Sequence, residues 1–193
     1  MPTIVTHSLI GIFASKIFKI SNKPKFWILS IICPALPDID MIGYYLGIPY
    51  DHLFGHRGIS HSIFFALLIG FLIYFLFFRK ENLSKFKSLI IFIYFSFITM
   101  SHGLLDMLTD ATHGIPFFAP LDNTRYFFPY RPINAPSLDV EYFLREQLLE
   151  VLVGEVILIS ISVVGLLLFK LLLKKLNKFS WNFILGNDSI DWY

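Results

Sequence analysis

Residues Pro34–Ser62 read PALPDIDMIGYYLGIPYDHLFGHRGISHS. The carboxylates of Asp38 and Asp40 and three imidazoles (His52, His56, His61) fall within this stretch, and apolar sequence lies on both sides of it. Ionisable groups at a membrane boundary are costly, and they persist where they have a task. Carboxylate and imidazole together are donors that hold a divalent ion. The stretch predicts an all-α protein embedded in a membrane, with a polar site at one end of its helices.

Outward from this stretch the chain divides into five apolar runs: residues 3–20, 26–36, 63–78, 88–105 and 151–173. A helix needs about 20 apolar residues to cross the hydrocarbon. The second run falls short of that, and Pro34 and Pro37 break or kink it. The expected architecture is an integral membrane helical bundle of four to five spans, with one short broken segment. Residues 1–175 make the membrane-embedded domain, with a long, partly structured loop over 106–150. Residues 176–193 make a C-terminal tail. The first run lacks a basic leader and a small-x-small cleavage site, so it reads as a retained helix. Ser137 is placed to cap a helix that opens with Asp139 and Glu141.

Composition agrees with lipid. Hydrophobic residues make up 55% of the chain and the mean hydropathy is +0.66, above the level of a soluble domain. The 22 Phe suit lipid-facing helices. The single cysteine, Cys33, excludes an intramolecular disulfide and a cysteine-rich zinc site within one chain. No basic stripe interleaves with exposed aromatics, so no nucleic-acid partner is expected.

The charges are segregated. The flanks of the first loop (Lys16, Lys19, Lys23, Lys25), the third-to-fourth loop (Arg79, Lys80, Lys85, Lys87) and the C-terminal flank (Lys170, Lys174, Lys175, Lys178) hold 12 of the 16 basic residues. Five spans put all three segments on one side, which the positive-inside rule makes cytoplasmic. The other side keeps four arginines against 11 acids, and all six histidines lie there. Membrane insertion does not require that placement of histidines, so it points to a site on the non-cytoplasmic face of the cytoplasmic (inner) membrane.

The spacing supports one cluster. His102 and Asp106 are four apart on a helix and project from one face. In PDID the two carboxylates of Asp38 and Asp40 can serve one ion or bridge two. Gly58 lets the chain turn sharply between His56 and His61. His7 lies at the same end of the first helix. The candidate ligands are His7, Asp38, Asp40, His56, His61, His102 and Asp106. Seven exceed the three ligands and water of one catalytic zinc. They suit two ions, or one ion with outer residues that orient the ligands. Zinc is the expected ion, with manganese or iron as alternatives. Asp40 and Asp106 are the expected catalytic carboxylates, and Arg57 can pair with a phosphate. Taken singly, these residues have plainer roles: Asp38 and Asp40 as turn formers after Pro37, His52 and His113 as structural side chains, Asp110 as a helix-end residue. Cys33 reads as a small buried apolar residue, and the aromatics of 117–130 as an interfacial belt.

Four motifs carry a resemblance: THS at Thr6–Ser8, PDID at Pro37–Asp40, HRGISHS at His56–Ser62 and HGLLDMLT at His102–Thr109. In order and spacing, over about residues 1–175, the chain resembles the YdjM-type membrane-bound metal-dependent hydrolases, also described as LexA-binding inner-membrane proteins. The resemblance implies the same seven metal residues. More distantly, the order of histidines and aspartates is similar to that of zinc-dependent phospholipase C and the P1-type nucleases. A further H…H-x-x-x-E set, which completes their cluster, is absent here, so one or two ions are expected rather than three. The implied activity is hydrolysis of a phosphoester or lipid-linked ester, with membrane lipids or a small ester as partners. Neither the residues nor the resemblance assigns an oligomeric state, and no LexA-binding surface is legible. Two rivals predict other patterns. A metal transporter or sensor needs polar groups through the span centres. A structural or assembly protein needs only a closed, stapling ion.

Overall fold

The computed structural model describes residues 3–137 and 140–176. The expected tail lies outside the described residues from 177 onward. The described residues form an all-helical bundle with no strand. The five helices are α1 (Ile4–Phe18), α2 (Pro24–Tyr45), α3 (Ile63–Phe78), α4 (Lys85–Asp106) and α5 (Leu148–Leu176). Helix α5 is entered through Val140–Tyr142 and a π-turn, Phe143–Gln147. Of the Asp139–Glu141 helix start, Asp139 lies outside the described residues. The Ser137 backbone N–H donates to Gln147 Oε1 at 2.8 Å.

Among the described residues, three helical runs are long and apolar enough to cross a membrane: Pro24–Tyr45, Lys85–Asp106 and Phe143–Leu172. Helices α1 and α3 are apolar but shorter. The 15 residues of α1 rise roughly 22 Å, against about 30 Å of hydrocarbon.

The second apolar run is longer than its sequence suggests. It is α-helical over Pro24–Ile32, 3₁₀ over Cys33–Asp40 and α-helical again over Met41–Tyr45. Each proline removes one backbone donor, and the tighter 3₁₀ winding carries the chain past both without ending the helix. Asp38 and Asp40 therefore ride on a helix rather than on a loop after one.

The two ends of the bundle differ in charge. At one end Lys25 donates to the Phe77 carbonyl at 2.7 Å and pairs with Glu81, which Lys23 reaches at 2.9 Å. Lys170 of α5 donates to the Ile17 carbonyl at 2.5 Å. The three basic segments thus meet at one end, as the charge pattern predicts. Beneath them Phe26 stacks on Tyr94 (4.8 Å between ring centres) and meets Phe95 at 5.2 Å and Phe78 at 6.3 Å. The Tyr94 hydroxyl donates to Ser30 Oγ at 3.0 Å. These contacts tie α2, α3 and α4 together.

At the other end the 107–137 segment folds back over the helices. Ile115 and Tyr126 exchange backbone hydrogen bonds of 3.0 and 2.9 Å, Asp110 N–H donates to the Ile133 carbonyl, and Ile63 N–H donates to the Phe117 carbonyl. Ile133 then packs with Ile10, Leu105 and Leu158.

Close helix approach needs small residues, because lipid gives apolar side chains no drive to associate. A Cβ at Gly11 would fall 1.8 Å from the Ser30 carbonyl oxygen, so α1 and α2 meet backbone to backbone there. Gly165 on α5 has no such neighbour. Gly11→Ala should lower stability by about 1–3 kcal/mol. Gly165→Ala should be neutral or raise it by up to about 1 kcal/mol. Thermal unfolding of the two variants in one detergent checks the contrast.

Candidate metal centre

Parts of three helices and one loop turn converge opposite the basic end. His7 comes from the first turns of α1, Asp38 and Asp40 from the 3₁₀ part of α2, and His102 and Asp106 from the last turns of α4. His56, Arg57 and His61 come from the turn that enters α3. In that turn Arg57 takes a left-handed conformation, φ 61°. Gly58 has negative φ, contrary to the expectation that glycine makes the bend. Gly58 serves by size instead: a Cβ there would lie 2.1 Å from the Leu53 carbonyl oxygen.

The convergent residues form two layers. In the inner layer the ligand atoms of His7, Asp38 and His102 lie within 4.8 Å of one another, and so do those of His61, His102 and Asp106. His102 belongs to both sets. His61 Nε2 and His102 Nε2 are 3.0 Å apart. Asp38 Oδ1 is 3.4 Å from His102 Nε2 and 3.8 Å from His61 Nε2. Asp106 Oδ2 is 3.5 Å from His61 Nε2 and 3.8 Å from His102 Nε2. The other Asp106 oxygen is 3.4 Å from His7 Nε2, and the His7 ring stacks on that of His102 at 3.8 Å.

The outer layer fixes the inner one. His102 Nδ1 faces the Pro34 carbonyl at 2.7 Å. A carbonyl only accepts, so Nδ1 carries the hydrogen and Nε2 a lone pair. His61 Nδ1 faces Asp40 Oδ2 at 3.2 Å, which assigns the same tautomer. Asp40 also accepts from Ser60 Oγ, and its other oxygen lies 2.6 Å from His56 Nδ1. Asp40 and His56, expected as ligands, thus stand one layer out, behind His61. Arg57, expected to meet a phosphate, is 1% exposed and turned inward. Its Nε lies 3.5 Å from Asp106 Oδ2, and its terminal nitrogens donate to Thr109 Oγ1 (3.0 Å) and the His113 carbonyl (3.2 Å).

The inner layer fits a divalent cation. Both oxygens of Asp38, both of Asp106 and both ring nitrogens of His7 are buried without a hydrogen-bond partner. Buried polar atoms are otherwise almost always paired. Two imidazole lone pairs facing each other at 3.0 Å repel unless a proton or a cation lies between them. Ligand atoms bonded at ~2.0–2.1 Å around a tetrahedral ion sit roughly 3.3–3.4 Å apart, and the 3.0–3.8 Å separations bracket that spacing. Burial alone would lower the His61 pKa, but the Asp106 and Asp40 carboxylates raise it to about 9. The metal-free group therefore draws in positive charge.

The remaining candidates take the plainer roles. His52 Nδ1 accepts from the Phe54 N–H at 3.2 Å. His113 packs its ring on Tyr50 at 4.7 Å. Asp110, expected as a helix-end residue, lies beyond the end of α4 and accepts from the Ala135 N–H at 2.6 Å. Cys33 is fully buried. Residues not singled out from the sequence also support the group: Ser60, Thr109 and the Pro34 carbonyl. Ser60 and Thr109 stood inside the quoted motifs, but a hydroxyl there looks like any other loop or helix-end residue.

The pattern of the YdjM inner membrane protein family matches residues 1–176. The inner membrane protein YbcI of Escherichia coli (strain K12) is 29% identical over 139 residues, which cover 69% of this chain and 76% of that protein. No solved structure matches. The motifs, the apolar helices and the match over nearly all of the described residues agree: the chain belongs to the YdjM inner membrane protein family.

Proposed function

We propose that this protein is a membrane-bound metal-dependent hydrolase that cleaves a phosphoester or lipid-linked ester at the outer membrane–water interface. The observation that carries the reading is the inner layer itself. Two carboxylates and three imidazoles are buried together at one end of an apolar bundle, and the oxygens of both carboxylates and the ring nitrogens of His7 have no hydrogen-bond partner. His7, Asp38, His61, His102 and Asp106 would hold one or two ions, with zinc the best match to the donors and manganese or iron as alternatives. A divalent cation supplies Lewis acidity, which acidifies water and polarises a phosphoryl or carbonyl oxygen.

The chain's own residues do the rest. Asp40 holds the His61 ring, and Arg57 balances the Asp106 charge from behind. The Asp38 side chain, 8% exposed, is the least enclosed of the five inner residues, and its carboxylate is the one assigned to take up the proton of an attacking water. On the same stretch of α2, Ile39, Ile42 and Tyr45 are exposed. Apolar flanks beside a polar site suit an amphiphile whose headgroup reaches the site while its tail stays in lipid. The outer-face placement rests on the positive-inside rule and the gathering of basic residues at the opposite end.

One observation favours a second reading. His7, His61, His102 and Asp106 are at most 2% exposed, and closed sites are the mark of structural ions. In that reading the ion staples the helix ends and no ester is cleaved.

Metal analysis of the detergent-purified protein tests the first step. Near-stoichiometric metal is expected in wild type and its loss in Asp38→Ala and His102→Ala; retention in both would overturn the assignment. His56→Ala and Asp40→Asn should still bind, with affinity lowered about 10–100-fold, as outer partners of ligands behave. Metal-loaded protein should hydrolyse phospholipid or bis(p-nitrophenyl) phosphate. Full metal with neither activity would support the staple.

Arg57→Ala leaves the buried Asp106 charge without its counter-ion. It should cost the metal-free protein about 3–5 kcal/mol, and less once metal is bound. Thermal unfolding with and without chelator separates the two states.

A further inference from the structure

Glu155 lies in α5, a helix whose apolar window is only 17% buried within the bundle. An acidic side chain in such a helix is expensive and implies a partner. Glu155 is 5% exposed. Its two oxygens accept from the Thr3 backbone N–H and from Thr3 Oγ1, the latter at 3.0 Å. Thr3 is the N-cap residue of α1, and its own side chain makes no capping bond. The first turn of α1 carries no acidic residue. A carboxylate from α5 therefore satisfies an unpaired donor at the α1 N-terminus and faces the positive end of the helix dipole.

One turn along, the His7 N–H bonds the Thr3 carbonyl at 3.3 Å. The His7 ring makes no hydrogen bond. The other inner histidines are fixed through their second nitrogen, His61 by Asp40 and His102 by the Pro34 carbonyl. His7 has no such acceptor behind its ring: beyond its stacking on His102 and the approach of Nε2 to Asp106 at 3.4 Å, its place is set by the position of its own helix end. That position is anchored across the bundle by Glu155.

We infer that Glu155 is the positioning residue for His7: by capping α1 it sets the height and rotation at which the His7 imidazole meets the ion. The inference rests on the metal-centre reading and adds a role for α5, which contributes no ligand.

The test is metal affinity by chelator competition on the full chain in detergent, using zinc, for Glu155→Leu, Glu155→Gln, His7→Ala and the double variant His7→Ala/Glu155→Leu. Glu155→Leu should weaken zinc binding about tenfold, at the lower end of the range for groups that orient ligands. Glu155→Gln keeps an acceptor for the Thr3 N–H and should stay within about threefold of wild type. The double variant should bind no more weakly than His7→Ala alone, because the two residues act through one contact. Where Glu155→Leu does not accumulate, Thr3→Val removes only the hydroxyl bond. It should give a smaller loss that vanishes in the His7→Ala background. Unchanged affinity in Glu155→Leu, or additive losses in the double variant, would overturn the inference and leave the metal centre standing. A wild type that binds no zinc, manganese or iron would overturn both.

Discussion

The constraint on which this structure turns is the burial of the Asp38 and Asp106 carboxylates where nothing donates to them. An isolated carboxylate moved into an apolar interior costs far more than a folded domain can spare. The fold tolerates these two because imidazoles and a guanidinium surround them and because the group is shaped for a cation. The architecture follows from that need. Contributions from α1, α2, α4 and the turn before α3 must arrive at one point, so the bundle is ordered at that end by hydrogen bonds and ion pairs. At the other end it is ordered by aromatic packing beneath the Lys23, Lys25 and Glu81 ion pairs. Lipid supplies no hydrophobic drive between helices, and the two ends together replace it.

The layering has a physical logic. An inner residue that spent its donors and acceptors on protein partners would have none for an ion. An inner residue with no partner at all would not hold still. The arrangement meets both demands by using opposite nitrogens of one ring: Nδ1 of His61 and His102 faces an acceptor, while Nε2 faces inward. Arg57 does for Asp106 what Asp40 does for His61. It also takes a left-handed backbone conformation to do so, a strain that a well-determined site sustains.

Much of this was legible in the residues. The charge pattern implied that three basic segments share one end, and Lys25, Glu81 and Lys170 bring them together. The seven candidate ligands do converge, because i, i+4 spacing and helix-end placement are properties of the chain itself. The division between the layers was not legible. A carboxylate that touches an ion and one that orients a histidine are the same residue at much the same spacing, so PDID could not say that Asp38 faces inward and Asp40 stands behind His61. Only the 3₁₀ winding, with its change in angle per residue, separates them. That winding was hidden because Pro34 and Pro37 look like the end of a helix. Arg57 beside two histidines looked like a phosphate clamp. Its burial depends on the 107–137 segment folding back to offer Thr109 and the His113 carbonyl, a long-range contact with no local signature.

The position of Asp38 links the layered site to its proposed chemistry. A stapling ion is best served by ligands that are all enclosed, and four of the five inner residues are. The fifth lies on α2 at the side where the 3₁₀ segment ends and exposed apolar residues begin. Enclosure on one side and a single carboxylate edge on the other is what water activation requires: donors held rigid, one direction of approach, and a proton acceptor at the opening. Ile39 and Ile42, exposed on the same stretch of α2, set apolar surface beside the Asp38 carboxylate, as the proposed lipid-linked substrate requires.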